Sequence, residues 1–469
     1  HLNKHAITVK GAPDNVLQLC SHYQTIDDRV AELNDEMRQT ILAANDKMTK
    51  DALRVLGFAY RIEDDIPEEL SREYAEHNLI FAGLMGMIDP PRTEVKPALE
   101  KARQAGLRTI MITGDYPNTG RAVAESIGLL RPGHKVHTGA ELNELDDAAL
   151  REEVKITDVF ARVSPEHKMR IVDALRDNNE VVAMTGDGVN DAPAIKRADI
   201  GIAMGITGTD VAKQTADMVL TDDNYVSIVD AVEQGRIIYA NIRKFVFFLL
   251  SSNIAEIMII FLATLAGLPM PLTVIQILWL NLLTDGAPAL ALAMEKGDPD
   301  IMQRPPRPKH ESIINGSMRL GMIIQTIAQT GATLGAFLLG LYWHLGSQIP
   351  AGENVLRFML RYDWPAEGVL TAETMAFVTL SLCELLRAYT VRSERASIFR
   401  LGIFSNRWMQ ITVGASLLLM LFVVNIPFLQ PVFNTHFLTA REWLVVVSLA
   451  LIPAISEEFT KLYLRLRKI

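Results

Sequence analysis

The chain has 469 residues, enough for several domains, and 49% of them are apolar. A formal net charge of −9 argues against a general nucleic-acid binder. The two cysteines, Cys20 and Cys383, lie in different regions and suggest no disulfide framework. Polar and charged residues fill the first half, whereas long apolar segments dominate from about Phe245.

Residues 1–84 read as part of one α/β module. A short strand, Ala6–Val9, leads into Lys10-Gly11-Ala12-Pro13-Asp14, a lysine beside a small-residue turn that a nucleotide could approach closely. Leu53–Tyr60 reads as a strand carrying Arg54, which on its own is no more than a solvated edge residue.

A second module, residues 85–223, repeats strand–loop–helix units. Arg108–Ile112 reads as a strand with Thr113-Gly114-Asp115 at its carboxyl end, followed by a helix near Thr119–Ile127 that Gly128 stops. Asp158–Ala161 is a further strand, and Arg162 to Lys168 form the polar connection to a helix at Met169–Leu175. The apolar run Val181–Met184 reads as a buried parallel strand. It opens onto Thr185-Gly186-Asp187-Gly188-Val189-Asn190-Asp191-Ala192-Pro193. Asp199–Gly205 adds a last strand. Parallel strands alternating with helices predict one doubly wound sheet, which binds ligands beyond its carboxyl edge. A hydroxyl (Thr113), an ammonium (Lys168) and a carboxylate fit for Mg²⁺ (Asp187) on one rim suit phosphoryl transfer. His5, His137 and His167 read as surface residues.

Residues 224–469 contain six segments near the ~20 apolar residues that cross a bilayer. They are Phe245–Leu265, Leu272–Leu292, Met318–Tyr342, Thr374–Tyr389 with its flanks, Met409–Phe428 and Trp443–Phe459. Four basic clusters fall on one side of this arrangement: Arg236/Arg243/Lys244, Arg304/Arg307/Lys309, Arg392/Arg395/Arg400 and Lys461/Arg465/Arg467/Lys468. The positive-inside rule makes that side cytoplasmic, with Arg357 and Arg361 as the exception. Intramembrane acids are costly and mark functional sites by default. Asn253 and Glu256 share one helix face. Asn281, Thr284 and Asp285 precede Gly286 and Pro288, breakers that predict a locally unwound helix. Glu384 lies in a third span, with Arg387 one turn on, either neutralising it or snorkelling to the interface. Together the three acids, two asparagines and a threonine make an oxygen-rich cage for a hard cation. The plainer reading is interhelical hydrogen bonding that packs the bundle. Glu457 and Glu458 read as interfacial.

These residues resemble the P-type ATPases over nearly the whole chain. Met184–Gly205 resembles that family's haloacid-dehalogenase-type phosphorylation domain, Lys10–Asp14 its nucleotide-domain motif (with Asp14 where Glu is usual), residues 89–92 its hinge, and Thr113–Asp115 its second dehalogenase motif. Residues 251–256 and 281–286 resemble the ion ligands of the calcium-pump branch, and the spans resemble its membrane helices five to ten. The resemblance implies that Lys10, Gly11, Arg54 and Arg162 contact ATP, together with Thr113, Asp115 and Lys168. It implies that Thr113, Gly114, Asp115 and Lys168 handle the phosphoryl group. Asp187 would hold Mg²⁺, supported by Asn190 and Asp191. Asn253, Glu256, Asn281, Thr284, Asp285 and Glu384 would bind the transported cation. Residues 298–302 and 304–307 resemble the loop that couples the two halves of such a pump.

No Asp-Lys-Thr-Gly-Thr or Thr-Gly-Glu occurs in the sequence, and it opens at His1 without an initiator methionine or signal peptide. The expectation is therefore the carboxy-terminal part of a longer pump, inactive alone, whose phosphorylated Asp and first four membrane helices lie upstream. The expected fold class is α/β plus membrane α-helical: part of a nucleotide-binding domain, a haloacid-dehalogenase-like doubly wound phosphorylation domain and a six-helix transmembrane bundle. The expected cofactors and partners are ATP, Mg²⁺, transported Ca²⁺, the lipid bilayer and the missing amino-terminal half, with no nucleic acid. The expected location is a multi-pass place in a bacterial-type plasma membrane, catalytic domains cytoplasmic. The alternatives are the same pump for Mn²⁺, Na⁺ or H⁺, a non-catalytic nucleotide-binding half, and a membrane-tethered phosphatase.

Overall fold

The computed structural model describes residues 4–50, 53–65, 71–87, 91–345, 349, 354–393 and 396–466. Asp89 and Pro90 of the hinge resemblance, and Arg395, Arg467 and Lys468 of the basic clusters, lie outside the described residues. The chain divides into two compact units, His1–Ala231 with Met302–Lys309, and Val232–Ile301 with His310–Ile469.

The first unit opens with β1 (His5–Gly11), α1 (Pro13–Gln18), β2 (Cys20–Gln24), β3 (Val30–Glu32), α2 (Asp35–Lys50), β4 (Arg54–Glu63), α3 (Arg72–Ala75) and β5 (Leu79–Met87). The strands form one sheet in the order β1-β4-β5-β2-β3. Alternation along β4 sets its two faces. Val55, Gly57 and Ala59 are buried; Arg54, Leu56 and Phe58 lie on the more open face. Ala59 packs with Val16, Leu17, Leu79 and Phe81 in the core of this sheet. β4 pairs with β1 over Gly57–Glu63 and with β5 from Arg54 onward, so Arg54 sits exposed at the strand start, paired on the β5 side alone. β5 continues to Met87, past the expected module boundary at residue 84.

Next come α4 (Val95–Gln104), β6 (Met111–Thr113), α5 (Pro117–Ser126), β7 (Lys135–Thr138), α6 (Gly139–Glu144), α7 (Asp147–Ile156), β8 (Thr157–Ala161) and α8 (Pro165–Asp177). They are followed by β9 (Ala183–Gly186), a 3₁₀ turn (Val189–Asp191), α9 (Ala192–Arg197), β10 (Ile200–Met204), α10 (Asp210–Thr215) and β11 (Met218–Leu220). The expected single sheet is instead two parallel three-stranded sheets, β11-β10-β9 and β6-β8-β7. Helix α8 serves both: Val172 packs with Met184 of β9, and Ile171 with Phe160 of β8. Ile112 of β6 touches both clusters. Among the described residues β6 and β9 each keep one unpaired edge. Helix α8 starts four residues earlier than expected because Ser164 caps it and Pro165 takes its first position. Lys168 is therefore in its first turn and not in a loop.

The second unit is helical. α11 (Tyr225–Leu265) runs 41 residues without a break, and its first residues belong to the first unit. α12 (Val274–Trp279) passes through a π-helical segment (Leu280–Asp285) into α13 (Gly286–Ala293). α14 (Gly316–Leu345), α15 (Val355–Met359), α16 (Ala366–Thr390), α17 (Ile398–Leu401), α18 (Arg407–Asn425), α19 (Gln430–Phe433) and α20 (Ala440–Leu466) complete the chain. Among the described residues six helical segments are long and apolar enough to cross a membrane, matching the six expected spans in order. The fourth, within α16, is the most enclosed, with 72% of its apolar window buried. It lies at the bundle centre, against the neighbours that Phe377 and Leu380 meet. The unwinding expected within Asn281–Pro288 does not occur. The chain instead widens into a π turn over Leu280–Asp285, just before Gly286, the form helices commonly use at functional sites.

Candidate functional site

Three acids converge inside the bundle. Glu256 comes from α11, Asp285 from the end of the π segment and Glu384 from α16, and one carboxylate oxygen of each lies within 4.8 Å of the others. All three are buried. Asn281 Nδ2 donates to Glu256 Oε2 at 2.9 Å, and Gln329 Nε2 of α14 donates to Glu384 Oε1 at 3.4 Å. The remaining oxygens, Glu256 Oε1, Glu384 Oε2 and both of Asp285, have no hydrogen-bond partner. Buried acceptors without donors are costly, and a hard cation satisfies all of them at once. This donor set fits an oxygen-liganded ion.

The surrounding residues divide. Thr284 is buried next to Asp285. The π turn frees main-chain carbonyls, one of which, Leu283 O, accepts from Ser416 Oγ at 2.8 Å. Asn253 is only half-buried, and its amide donates to Leu249 O of its own helix at 3.0 Å.

Arg387 neither neutralises Glu384 by direct pairing nor snorkels. It is fully buried, donates to Ser251 Oγ and to Ser252 Oγ (3.4 Å), and lies 3.6 Å from the Glu457 carboxylate. Glu457, expected at the interface, is buried and also accepts from Thr390 Oγ1 at 2.9 Å. A paired, hydrogen-bonded arginine is tolerable there; an unpaired one is not. Gln329 Oε1 also accepts from Arg387 at 3.5 Å. Arginine can only donate, so the glutamine must turn its NH₂ to Glu384, leaving that carboxylate's other oxygen for the cluster. Sequence reasoning missed Gln329. The signal was Gln325 and Gln329 at i, i+4, two side-chain amides on one face of a membrane-length span.

The second constellation lies at the carboxyl ends of β6 and β9. Asp187 and Asn190 are exposed beyond β9, while Asp191 is buried. Asp191 accepts from Lys168 Nζ at 2.5 Å and from the amides of Asp187 (3.3 Å) and Gly188 (3.2 Å). Its lone pairs are committed, so it supports the turn. Among the described residues the Asp187 carboxylate meets no ion-pair or hydrogen-bond partner, and it lies at an exposed site, as a group that takes Mg²⁺ with water and phosphate would. Gly186 is required here: a Cβ would stand 2.4 Å from Asp191 Cβ. On β6, Thr113 Oγ1 accepts from the Asp115 amide at 3.1 Å and donates to Asp115 Oδ2 at 3.2 Å. Gly114 next to them is exposed with nothing near its Cβ position, so the backbone can be approached. Arg162 N donates to Asp115 O at 3.2 Å, Val163 N to Thr113 O at 3.5 Å, and Val163 leads into the α8 cap. The Thr113 loop, Lys168 and Asp187 are thus joined by one hydrogen-bonded path. Arg162 has a left-handed φ of 51° and lies over the Tyr116 ring at 3.6 Å. His167, expected at the surface, is buried and completes the helix cap: Nδ1 accepts from Ser164 N, and Nε2 meets Asn143 Oδ1 at 2.8 Å.

Burial pushes the Asp191 carboxyl up, but Lys168 and the two amides outweigh it and hold the group below the usual carboxylate range. Such a group stabilises the fold above its unfolded value of ~3.9 and loses that contribution as pH falls through the folded value. Acidification from about pH 6 to about pH 3 should therefore speed amide exchange at Asp187 and Gly188 beyond the intrinsic pH trend. Equal protection at both values would contradict this.

Lys10 and Arg54 are exposed on adjacent strands. Lys10 pairs with Phe58, which is four residues from Arg54, so both project from the open face, separated by Leu56 and Phe58. Gly11 sits at the end of β1 opposite Gly57.

Three buried acids in a bundle with six membrane-length helical segments, joined in one chain to an Asp-rich rim on parallel sheets, are the features of a membrane protein with a soluble α/β part. The C-terminal domain of cation-transporting ATPases matches residues 269–463, and the cytoplasmic N domain of P-type ATPases matches residues 1–94. The chain belongs to the cation-transporting P-type ATPases. It is 44% identical over 97% of its length to calcium-transporting ATPase 1 of Bacillus cereus, of which it covers 50%. The figures are 43%, 96% and 48% for a calcium-transporting ATPase of Bacillus subtilis, and 36%, 99% and 47% for calcium-transporting ATPase 1 of Saccharomyces cerevisiae. The chain spans about half the length of the curated relatives it matches.

Proposed function

We propose that this chain is the carboxy-terminal part of an ATP-driven pump that exports Ca²⁺ from the cytosol. The observation that carries the reading is the cluster of Glu256, Asp285 and Glu384, whose unpartnered buried oxygens form a seat for a hard cation. Glu256, Asp285, Glu384, Thr284 and Asn281 bind the transported ion, with Asn253 lining its approach. Calcium fits a many-oxygen seat of this kind, and the relatives above are named as calcium-transporting. Mn²⁺ uses the same oxygen chemistry and is the rival that competition must separate. A tethered phosphatase would have no use for three acids buried in the bilayer.

The soluble residues supply the energy. Residues up to the end of β5 form part of a nucleotide-binding domain in which Lys10, Gly11 and Arg54 hold ATP, with Arg162 contributing from the module that follows. The residues from α4 to 223 form a haloacid-dehalogenase-like phosphorylation domain. The γ-phosphoryl group passes to an upstream Asp carboxylate, ADP leaves, and water later hydrolyses the acyl-phosphate. The unpaired edges of β6 and β9 support a further parallel strand carrying that Asp between them. Thr113, the amides around Gly114 and Asp115, and Lys168 orient the phosphoryl oxygens, while Asp191 steers the Lys168 ammonium. Asp187 holds Mg²⁺, which when bound screens phosphate charge. The basic clusters beside the spans support a cytoplasmic position for these domains, and the proposed location is a bacterial-type plasma membrane. Helix α11 carries Glu256 and is unbroken from Tyr225, which supports mechanical coupling along it.

Vesicles containing the whole pump should accumulate radioactive calcium only with ATP and Mg²⁺, and Glu256→Gln should raise the half-saturating Ca²⁺ about tenfold or more. ATP-driven Mn²⁺ uptake without Ca²⁺ uptake would overturn the calcium assignment.

A further inference from the structure

Asp223 lies two residues before α11, in a left-handed conformation (φ 49°). Its Oδ1 accepts from the amides of Gly205 (2.6 Å) and Ile206 (3.0 Å). Its Oδ2 accepts from the Thr207 amide and hydroxyl, both at 2.8 Å. One carboxylate thus gathers the turn that leaves β10. Its acidity agrees. Desolvation raises the group, but the three amides and the hydroxyl together bring it down to about 2.

The turn continues into the metal loop. Gly208 passes so close to Met204 that a Cβ there would meet the Met204 carbonyl oxygen at 1.9 Å. The next residue, Thr209, donates its amide to Asp187 O at 2.8 Å and caps α10. Asp187 is therefore held at both backbone groups: its N–H by Asp191, and its carbonyl by Thr209. Two pins on the main chain set the direction of a side chain that has no bond of its own. Asp223 also stands at the junction with α11, whose Tyr225 hydroxyl bonds Thr109 Oγ1 at 2.7 Å.

We propose that Asp223 is a positioning residue for the metal carboxylate, acting through the 205–209 turn and the Thr209 amide to aim Asp187. The proposal rests on the reading of Asp187 as the Mg²⁺ ligand.

The test uses the full 469-residue chain purified in detergent, with Mn²⁺ as a paramagnetic stand-in for Mg²⁺ and water-proton relaxation as the readout. The signal lost in Asp187→Asn defines binding at this loop. Asp223→Asn keeps the shape but turns an NH₂ toward donors, and should weaken that binding roughly tenfold, as removal of a ligand's supporting partner does. Thr209→Pro removes the amide while suiting the native φ of −70°, and should do the same with Asp223 intact. A purely structural Asp223 would lower the thermal midpoint and leave the Mn²⁺ affinity of the folded protein unchanged, overturning the proposal. If Asp223→Asn does not fold, Thr209→Pro decides, and normal binding there overturns it. A Mn²⁺ signal that Asp187→Asn leaves unchanged would sink the metal assignment itself, and the proposal with it.

Discussion

Asp285→Asn should cost the membrane site roughly a hundredfold in Ca²⁺ affinity, equivalent to ~3 kcal/mol. Both oxygens of Asp285 are buried without a hydrogen-bond partner, so their whole ligand capacity faces the cluster. The substitution is nearly isosteric and should leave the π turn in place. It should also raise the thermal stability of the cation-free protein, because it removes one of three crowded carboxylates. Weaker binding with higher cation-free stability is a pair of signs that a packing defect does not produce. Radioactive calcium binding and thermal melts on the same preparations would read both. Binding within twofold of wild type, or a lower cation-free midpoint, would contradict the assignment.

Arg392→Ala should destabilise the bundle by ~3–5 kcal/mol. Arg392 follows α16, is buried, and makes a bidentate pair with Glu295 at 2.8 and 2.9 Å. It also donates to Gly402 O, Ile403 O and Ser405 Oγ. Glu295 in turn accepts from Asn406 at 2.8 Å, and its carbonyl from Asn241 at 2.7 Å. The knot ties α11, the end of α13, the α16 terminus and the start of α18. Losing the arginine alone strands Glu295 as a buried charge. Replacing both by methionine should recover most of the loss, because a buried pair is worth little against apolar residues of similar volume. Equal melting of Arg392→Ala and wild type in detergent would contradict this account.

What could be read in advance followed from patterns that carry their own physics. Six runs near bilayer length, and an acid well inside each of three of them, are visible without any partner. The Gly186–Asp191 turn is legible because its glycine and acids must lie close to an apolar strand. What escaped depended on partners far away in sequence. Arg387 could not be placed because its counterion, Glu457, lies 70 residues on, in a helix whose acids read as interfacial. The buried state of His167 follows from Asn143, which composition does not announce. Lys168 was legible as helical: Ser164-Pro165 is a strong start signal, and reading it as a loop underweighted the cap. The π turn was foreseen as a break at the right place but of the wrong kind. Glycine and proline mark where a helix must yield, not whether it unwinds or widens.

The central claim is that cation occupancy of Glu256, Asp285 and Glu384 governs phosphorylation. The direct measurement is phosphoenzyme formed from radiolabelled ATP by the whole pump, titrated with Ca²⁺, Mn²⁺, Na⁺ and H⁺, in wild type and Glu256→Gln. The account predicts an acid-stable phosphoenzyme that appears with Ca²⁺ and shifts to higher Ca²⁺ in the variant. Phosphorylation that ignores Ca²⁺, or follows it identically in both proteins, would contradict it.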